Sequence, residues 1–464
     1  MQYDIAIIGA GPGGYVAAIR ASQLGQNVIL IEKNKVGGVC LNQGCIPTKS
    51  LLHSGEIFYK SKNFADYGVE FSDITFNITK AVNKARSISE KLVRGIKGLV
   101  KKHKINLLYG QSSFESKNKL IVEKEDGSSE FVYAKNIIIA TGARPKNIKN
   151  IQADHNKIWD YTDALFPKIL PKTMVIIGSG AIGIEFASFY NHIGVDVTVL
   201  ESREEILSSE DSEIVRIAKY SFEKRGIKFF TNVKIEEASY NSNKDIEIEF
   251  FCYNGEKKKL KSEILLLATG VKANVEKLAL DKVKLELSGD IIKTNDNMET
   301  NVSNIFAIGD VTKPPWLAHK ASHEGIIAAE TIANYKSHKM DYNNIPFCIY
   351  SSPEIARIGL TEKEALDIGH KINIGKFPFN ANGKAMILGD SDGMIKTIFD
   401  KDTGELLGAH MIGSYVTELI SGFSIAKTSE LTEEELAKTI FSHPTLSEMM
   451  HESSLSALKK AIHV

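Results

Sequence analysis

Two cysteines five residues apart, Cys40 and Cys45, lie in the run Gly37-Gly38-Val39-Cys40-Leu41-Asn42-Gln43-Gly44-Cys45-Ile46-Pro47-Thr48-Lys49. In a chain of 464 residues with four cysteines, so close a pair points to redox or metal chemistry rather than to a disulfide scaffold. In a regular helix their Cα atoms would stand roughly 8–9 Å apart, whereas a disulfide takes about 4.4–6.8 Å. If they bond, the backbone must tighten, and Asn42, Gly44 and Pro47 suit an irregular first turn. A helix start would also stabilise the thiolate, which is the reactive form. The alternatives are two small buried residues or half of a metal site. No second Cys/His cluster completes four ligands, so no metal is expected. Cys252 and Cys348, in apolar strand-like surroundings, read as inert core thiols.

A second chemical pair stands near the other end, in Ser442-His443-Pro444-Thr445-Leu446-Ser447-Glu448. His443 offers an imidazole, the side chain suited to general-base work, and Glu448 could hold its ring. Pro444 suits a helix start. The bland alternative is a capping box, with Thr445 as cap and Glu448 three residues on.

Such groups need elements that place them beside an electron carrier. Residues 4–9 form a short apolar strand ending in Gly9-Ala10-Gly11-Pro12-Gly13-Gly14, followed by a helix from Tyr15 to Leu24 and a second strand, Val28 to Glu32. This is a dinucleotide fingerprint: Gly9 for the turn, Gly11 for approach to a pyrophosphate, Gly14 for helix–strand packing, Glu32 for a ribose hydroxyl. The helix N-terminus offers N–H groups to the phosphates. The pattern recurs at Gly178-Ser179-Gly180-Ala181-Ile182-Gly183, after Met174-Val175-Ile176-Ile177 and before Val197-Thr198-Val199-Leu200-Glu201. Both glutamates fall 23 positions after the first glycine, and a repeated supersecondary unit implies two dinucleotides. Each copy is followed by an apolar strand closing in Ala-Thr-Gly, at Gly142 and Gly270. A carboxylate at Glu201 accepts a 2′-hydroxyl and repels a 2′-phosphate, favouring NAD over NADP, although Arg203 nearby is suited to that phosphate.

Between residues 50 and 140 come helix-like stretches, Ile78 to His103 the longer, and a hairpin around Glu125-Asp126-Gly127, all read as framework. Residues 345–464 read as a mixed α+β domain without a glycine fingerprint. Lys+Arg and Asp+Glu balance at 57 each, so the footprint of a nucleic-acid binder or a polybasic membrane protein is missing. No apolar stretch reaches the ~18 residues of a membrane span, and no leader precedes the first strand, which predicts a cytoplasmic protein or a mature organelle protein.

In order along the chain, the cysteine motif after the first fingerprint, the second fingerprint, Asn304-Ile305-Phe306-Ala307-Ile308-Gly309-Asp310 and the terminal His-Pro-Thr-x-x-Glu resemble the pyridine nucleotide-disulfide oxidoreductases over essentially the whole length. The resemblance implies an α/β fold with two Rossmann-like domains, for FAD and NAD, and a C-terminal α+β dimerisation domain. It divides the chain at 1–145 and 146–270 for the FAD and NAD domains, 271–344 for a central domain completing the FAD site, and 345–464 for the interface. It implies FAD held by Gly9, Gly11, Gly14, Glu32, Gly38, Lys49, Gly142, Gly309, Asp310 and Ala318, and NAD held by Gly178, Gly180, Gly183, Glu201 and Gly270. Cys40 would exchange with substrate and Cys45 face the flavin. Lys49 and Glu185 would pair near its ring, and His443 with Glu448 would serve the cysteines of the other subunit in a homodimer.

Leu317-Ala318-His319-Lys320-Ala321, His443-Pro444-Thr445-Leu446-Ser447-Glu448 and the acid at Glu201 narrow the activity that the resemblance implies to oxidation of dihydrolipoyl groups on lipoyl-bearing proteins with NAD. The partners implied are 2-oxo acid dehydrogenase complexes, through docking on their acyltransferase core, or the glycine cleavage system, with no nucleic acid or membrane partner. A reductase of glutathione- or coenzyme A-type disulfides and a flavin oxidase are the alternatives. Val39 departs from the family's usual Thr before the first cysteine, removing a hydroxyl that could contact the flavin. The lack of an extra N-terminal domain and of a C-terminal cysteine pair argues against mercuric reductase-like and tailed thioredoxin reductase-like members.

Overall fold

The computed structural model describes residues 2–241, 245–336 and 339–464. In chain order, the elements carrying the expected residues are strand β1 (Gln2–Ile8), helix α1 (Pro12–Gln23), strand β2 (Val28–Glu32), helices α2 (Gly38–Gln43) and α3 (Cys45–Ser61), strand β3 (Thr173–Ile177), helix α4 (Ala181–His192), strand β4 (Asp196–Leu200), and helices α5 (Ala318–Ile332) and α6 (Glu448–Ala457). The chain forms two compact units: residues 1–51, 78–146 and 270–340 in one, and 52–77, 147–269 and 341–464 in the other.

The first unit is built on a sheet ordered Asn106–Tyr109, β2, β1, Ser129–Ile139, Lys119–Glu123, Gln111–Ser116, with Ile305–Ala307 also paired to Ser129–Ile139. The parallel register sets Ile8 beside Ile31 and Ile139, so the three strands end together at the glycine turn. The apolar runs of β1 and β2 are buried on both faces, as expected for central parallel strands. The expected hairpin joins Lys119–Glu123 to Ser129–Ile139, and the long helix spans Ile78–Lys102, burying Val82, Ala85, Ser89, Ile96 and Val100 along one stripe. Helix α5 lies close along α1 because small residues line the contact. A Cβ on Gly325 would sit 2.6 Å from the Gly13 carbonyl oxygen, and Arg20 ties the helices through Glu330 at 2.6 Å.

The second unit holds a five-stranded parallel sheet, Lys228–Phe230, β4, β3, Ile264–Leu267, Ile158–Trp159, and an antiparallel three-stranded sheet over 234–262. Its C-terminal part is an antiparallel sheet ordered Phe347–Ile349, Glu354–Gly359, Leu406–Gly413, Met394–Asp400, Ile372–Pro378. The two central strands there are buried throughout. Cys252 and Cys348 are half-buried rather than fully interior, each packed against a core cluster. No helix among the described residues is long and apolar enough to cross a membrane.

Candidate active site

At the first turn Gly9 adopts φ +106°, closed to most side chains, and a Cβ on Gly14 would lie 1.8 Å from the Gly9 carbonyl oxygen. The turn feeds α1, which begins at Pro12. Gly38 brings α2 against it, since a Cβ there would lie 2.7 Å from the Gly11 Cα. Glu32, buried at the end of β2, accepts from the Ala10 N–H and the Asn34 N–H, both at 2.8 Å, so the acid braces the turn it follows. Around Gly142 no described atom lies within 4 Å of a would-be Cβ.

Gly309 and Asp310 are positioned by α5, which opens at Ala318. Glu324 accepts the Gly309 N–H at 2.7 Å, and the Lys320 ammonium donates to the Gly309 carbonyl at 3.0 Å and to Thr312 Oγ1 at 2.9 Å. Lys320 and Glu324 pair at 3.1 Å with both side chains wholly buried. One ion pair on one helix turn thus grips both polar groups of Gly309. Beside it, burial pushes the Asp310 carboxyl up to about 6, with Lys320 opposing and Glu324 adding to the shift. A turn that admits no Cβ, a helix N-terminus behind it and a half-buried acid that accepts no hydrogen bond from any described residue fit the pyrophosphate and a hydroxylated chain of FAD.

The cysteines do not share one helix start. Helix α2 stops at Gly44 (φ −145°, ψ −118°) and α3 begins at Cys45, so Cys40 belongs to the short helix before the break. Close approach is possible because residue 44 is glycine: a Cβ would lie 3.1 Å from the Val39 carbonyl oxygen and 3.3 Å from the Cys40 Cα. The Asn42 side-chain amide donates to the Val36 and Gly38 carbonyls at 3.1 and 2.9 Å, and the Thr48 hydroxyl to the Gly44 carbonyl at 2.6 Å. The half-buried thiols of Cys40 and Cys45 are hydrogen-bonded to each other. That bond, then burial, then the charge of Cys45 push the Cys40 thiol far up, while Lys49 on α3 acts in the opposite direction. Val39 is exposed.

The second turn repeats the first in the other unit. Gly178 has φ +103°, and a Cβ on Gly183 would lie 2.0 Å from the Gly178 carbonyl oxygen. Glu201 accepts from the Ser179 N–H at 2.8 Å and the Arg203 N–H at 2.9 Å, and also from the hydroxyls of Ser179 and Ser202 at 2.6 and 3.2 Å. Burial raises its carboxyl, but these four donors outweigh burial and hold it below the usual range. The Arg203 guanidinium is engaged by Ser208 Oγ. Glu185 on α4 is buried and accepts the Tyr350 N–H at 3.0 Å.

His443 and Glu448 meet: Nδ1 lies 2.9 Å from Oε1. The ring-holding role of Glu448 is seen and the capping box is not: Glu448 accepts the Thr445 N–H at 2.8 Å through its other oxygen, but the Thr445 hydroxyl donates to the Ser442 carbonyl and the helix is capped at Ser447. The helix starts later than Pro444 suggests, at Glu448. Burial raises the Glu448 carboxyl, but the bonds from Thr445 and His443 prevail and hold it below its usual range. The His443 ring is 78% exposed, free to meet a group from outside the chain. Sequence reasoning missed Lys320, Glu324 and Ser179. Lys320 and Ser179 stood inside motifs without a role of their own, and Lys320 with Glu324 has the i,i+4 spacing that an exposed pair would also have.

Residues 3–325 match the family described as pyridine nucleotide-disulphide oxidoreductase, and residues 345–454 match that family's dimerisation domain. Similar proteins include the dihydrolipoyl dehydrogenase of Zymomonas mobilis subsp. mobilis, 44% identical over 463 residues, covering 100% of this chain and 99% of that protein. The dihydrolipoyl dehydrogenase of Bacillus subtilis is 41% identical over 471 residues, with 100% and 99% covered. Among solved structures, the Cu(II) complex of the HOCl-induced flavoprotein disulfide reductase RclA of Escherichia coli is similar with a TM-score of 0.88 at 25% identity, covering 98% of this chain and 99% of that one.

Proposed function

The chain belongs to the pyridine nucleotide-disulphide oxidoreductase family, and we propose that it oxidises the dihydrolipoyl groups of lipoyl-bearing proteins to lipoyl groups, reducing NAD+ to NADH with release of one proton. It is a flavoprotein oxidoreductase that uses FAD and NAD(H), and its dimerisation domain makes it a homodimer. The observation that carries the reading is the hydrogen-bonded pair Cys40 and Cys45, in one compact unit with the first glycine turn, Lys49 and Asp310.

In the proposed cycle the cysteines begin as a disulfide. One dihydrolipoyl thiolate attacks Cys40 Sγ, a mixed disulfide forms, and Cys45 leaves as a thiolate. The second dihydrolipoyl sulfur then attacks the lipoyl sulfur of that mixed disulfide, closing the lipoyl ring and freeing the Cys40 thiolate. His443 accepts the proton of each thiol in turn at Nε2, because Glu448 fixes the Nδ1 proton, and gives each up again; one leaves to solvent and the other goes with the electron pair to NAD+. We assign this histidine to the cysteines of the other subunit. Lys49 favours the cysteine thiolates, and Glu185, held by Tyr350, is assigned to the nicotinamide side. FAD, when bound, supplies the passage of an electron pair between the cysteines and NAD+. Gly9, Gly11, Gly14, Glu32 and Asp310 are the residues assigned to hold it, and Gly178, Gly180, Gly183 and Glu201 those assigned to NAD. The substrates would be carried by 2-oxo acid dehydrogenase complexes, docked on their acyltransferase core, or by the glycine cleavage system, in the cytoplasm.

Cys45→Ser tests the assignment. Turnover of dihydrolipoamide with NAD+ is expected to fall by roughly 1000-fold or more, the order of loss when a nucleophile is removed, while the yellow FAD remains bound. Unchanged turnover would overturn it, and faster reduction of glutathione disulfide than of lipoamide would reassign the substrate.

A further inference from the structure

The two acids that close the glycine turns are held differently, and the difference lies in hydroxyls. Glu32 accepts from two backbone N–H groups, Ala10 and Asn34. Glu201 accepts from the equivalent pair, Ser179 and Arg203, and in addition from the side chains of Ser179 and Ser202. The equivalent positions in the first turn, Ala10 and Lys33, carry no hydroxyl. We propose that Ser179 and Ser202 are internal stand-ins for the ribose hydroxyls of NAD(H): they satisfy Glu201 while the site is empty and thereby weaken its hold on the nucleotide. This rests on the reading that the second turn takes NAD(H) through Glu201.

An ionised carboxylate offers about four lone-pair positions. Glu201 has all four in use, whereas two remain on Glu32. A ribose diol brings two O–H donors, the number and kind that the serines supply. For Glu201 to accept the diol, both serine hydroxyls must turn away. The Ser179 side chain is buried, and giving up its 2.6 Å bond to an anion means surrendering one of the stronger kinds of hydrogen bond. Binding therefore exchanges protein donors for ligand donors at this acid, where at Glu32 it would simply add them. The consequence suits the two roles: FAD stays through many turnovers, but NADH must leave after each one. Ser179 is the stronger competitor because its bond is short and sheltered, and Ser202 the weaker at 3.2 Å and exposed.

The test is calorimetric titration of NAD+ into the oxidised, FAD-loaded protein, which binds without turnover. Foldedness of each variant is read from its FAD content and melting temperature. Ser179→Ala is expected to tighten NAD+ binding by about threefold to tenfold, the scale of one exchanged hydrogen bond, and Ser202→Ala by less. In a Glu201→Ala background, where NAD+ binds more weakly, Ser179→Ala is expected to have no further effect. If both serine variants bind NAD+ like the parent or more weakly while Glu201→Ala weakens binding, the stand-in role is overturned and the cofactor site stands. If Glu201→Ala binds NAD+ like the parent, the reading of Glu201 as ribose acceptor fails and the stand-in role fails with it. Should Ser179→Ala lose its FAD, Ser202→Ala decides alone by the same criterion.

Discussion

The first and second glycine turns share their local geometry and differ in their company. In both, the first glycine has φ near +105° and the last has its would-be Cβ about 2 Å from the first glycine's carbonyl oxygen. In both, a glutamate 23 residues on braces the turn through a backbone N–H at 2.8 Å. Around the first turn the protein closes in. Gly38 packs on Gly11, the Ala321 carbonyl oxygen lies 3.0 Å from a would-be Cβ on Gly13, and the Lys320–Glu324 pair clamps Gly309. At Gly180, the second-turn counterpart of Gly11, no described residue apart from its own chain neighbours comes within 4 Å of a would-be Cβ. A turn encodes what it can bind, and the packing around it encodes how long the ligand stays.

Putting a methyl group at the last glycine of each turn should break the comparison most severely. Gly14→Ala and Gly183→Ala each force a Cβ into a backbone carbonyl that neither a rotamer change nor a small shift can avoid. Gly14→Ala is expected to yield protein without FAD and poorly folded. Gly183→Ala should keep its FAD and bind NAD+ more weakly by roughly 100-fold or more, as expected for steric disruption at a phosphate-binding turn. The ratio of flavin to protein absorbance and an NAD+ titration read both results. Loss of FAD from Gly183→Ala would show that the two turns are not independent.

What the sequence disclosed follows the same division. Both turns, their strands and their glutamates were legible, because glycine spacing and short apolar runs are set by local backbone geometry. Ile78–Lys102 was legible to within one residue as a helix-like stretch. The break between Cys40 and Cys45 was half legible: the helical spacing demanded tighter backbone, but only the packing of Gly44 on Val39 and Cys40 shows that two helices supply it. His443 and Glu448 were legible as a pair, though not the sharing of one carboxylate between ring and backbone. The Lys320–Glu324 clamp was hidden, since an i,i+4 pair has the same sequence on a wet surface and in a dry core. Its partner, Gly309, lies more than ten residues upstream of Lys320, beyond the reach of helix periodicity.

That clamp belongs to the first site alone, and breaking it should sharpen the contrast. Lys320→Met takes the buried ammonium away from the wholly buried Glu324, a change that costs about 3–5 kcal/mol in comparable pairs. Urea unfolding of the FAD-loaded protein should show that loss together with faster FAD release. The double variant Lys320→Met, Glu324→Leu should recover much of the stability without restoring FAD retention, since Gly309 then has no grip. A single variant as stable as the parent would mean that the pair contributes nothing to the site.

The smallest effect concerns the acids themselves, whose pH responses should have opposite signs. Asp310 is pushed up to about 6 in the folded protein, from 3.8 when unfolded, mainly by burial. Below about pH 4 both states carry its proton. Between 4 and 6 the folded state holds a proton that the unfolded state releases, so stability falls as pH rises, and above pH 6 the penalty is complete. In the FAD-free protein this penalty is about 1–3 kcal/mol. Glu201 is held below its ordinary 4.5 by hydrogen bonds, so its contribution is present above that value and lost as pH falls through the folded one. Asp310→Asn should therefore stabilise the FAD-free protein at pH 7, flatten its decline between pH 4 and 6, and weaken FAD binding. Glu201→Gln should instead lower stability at pH 7 and leave that decline in place. Denaturant unfolding of the FAD-free parent and both variants across pH 4–8 measures the slopes. Parallel slopes in parent and Asp310→Asn would remove Asp310 from the account of why the first site holds its cofactor.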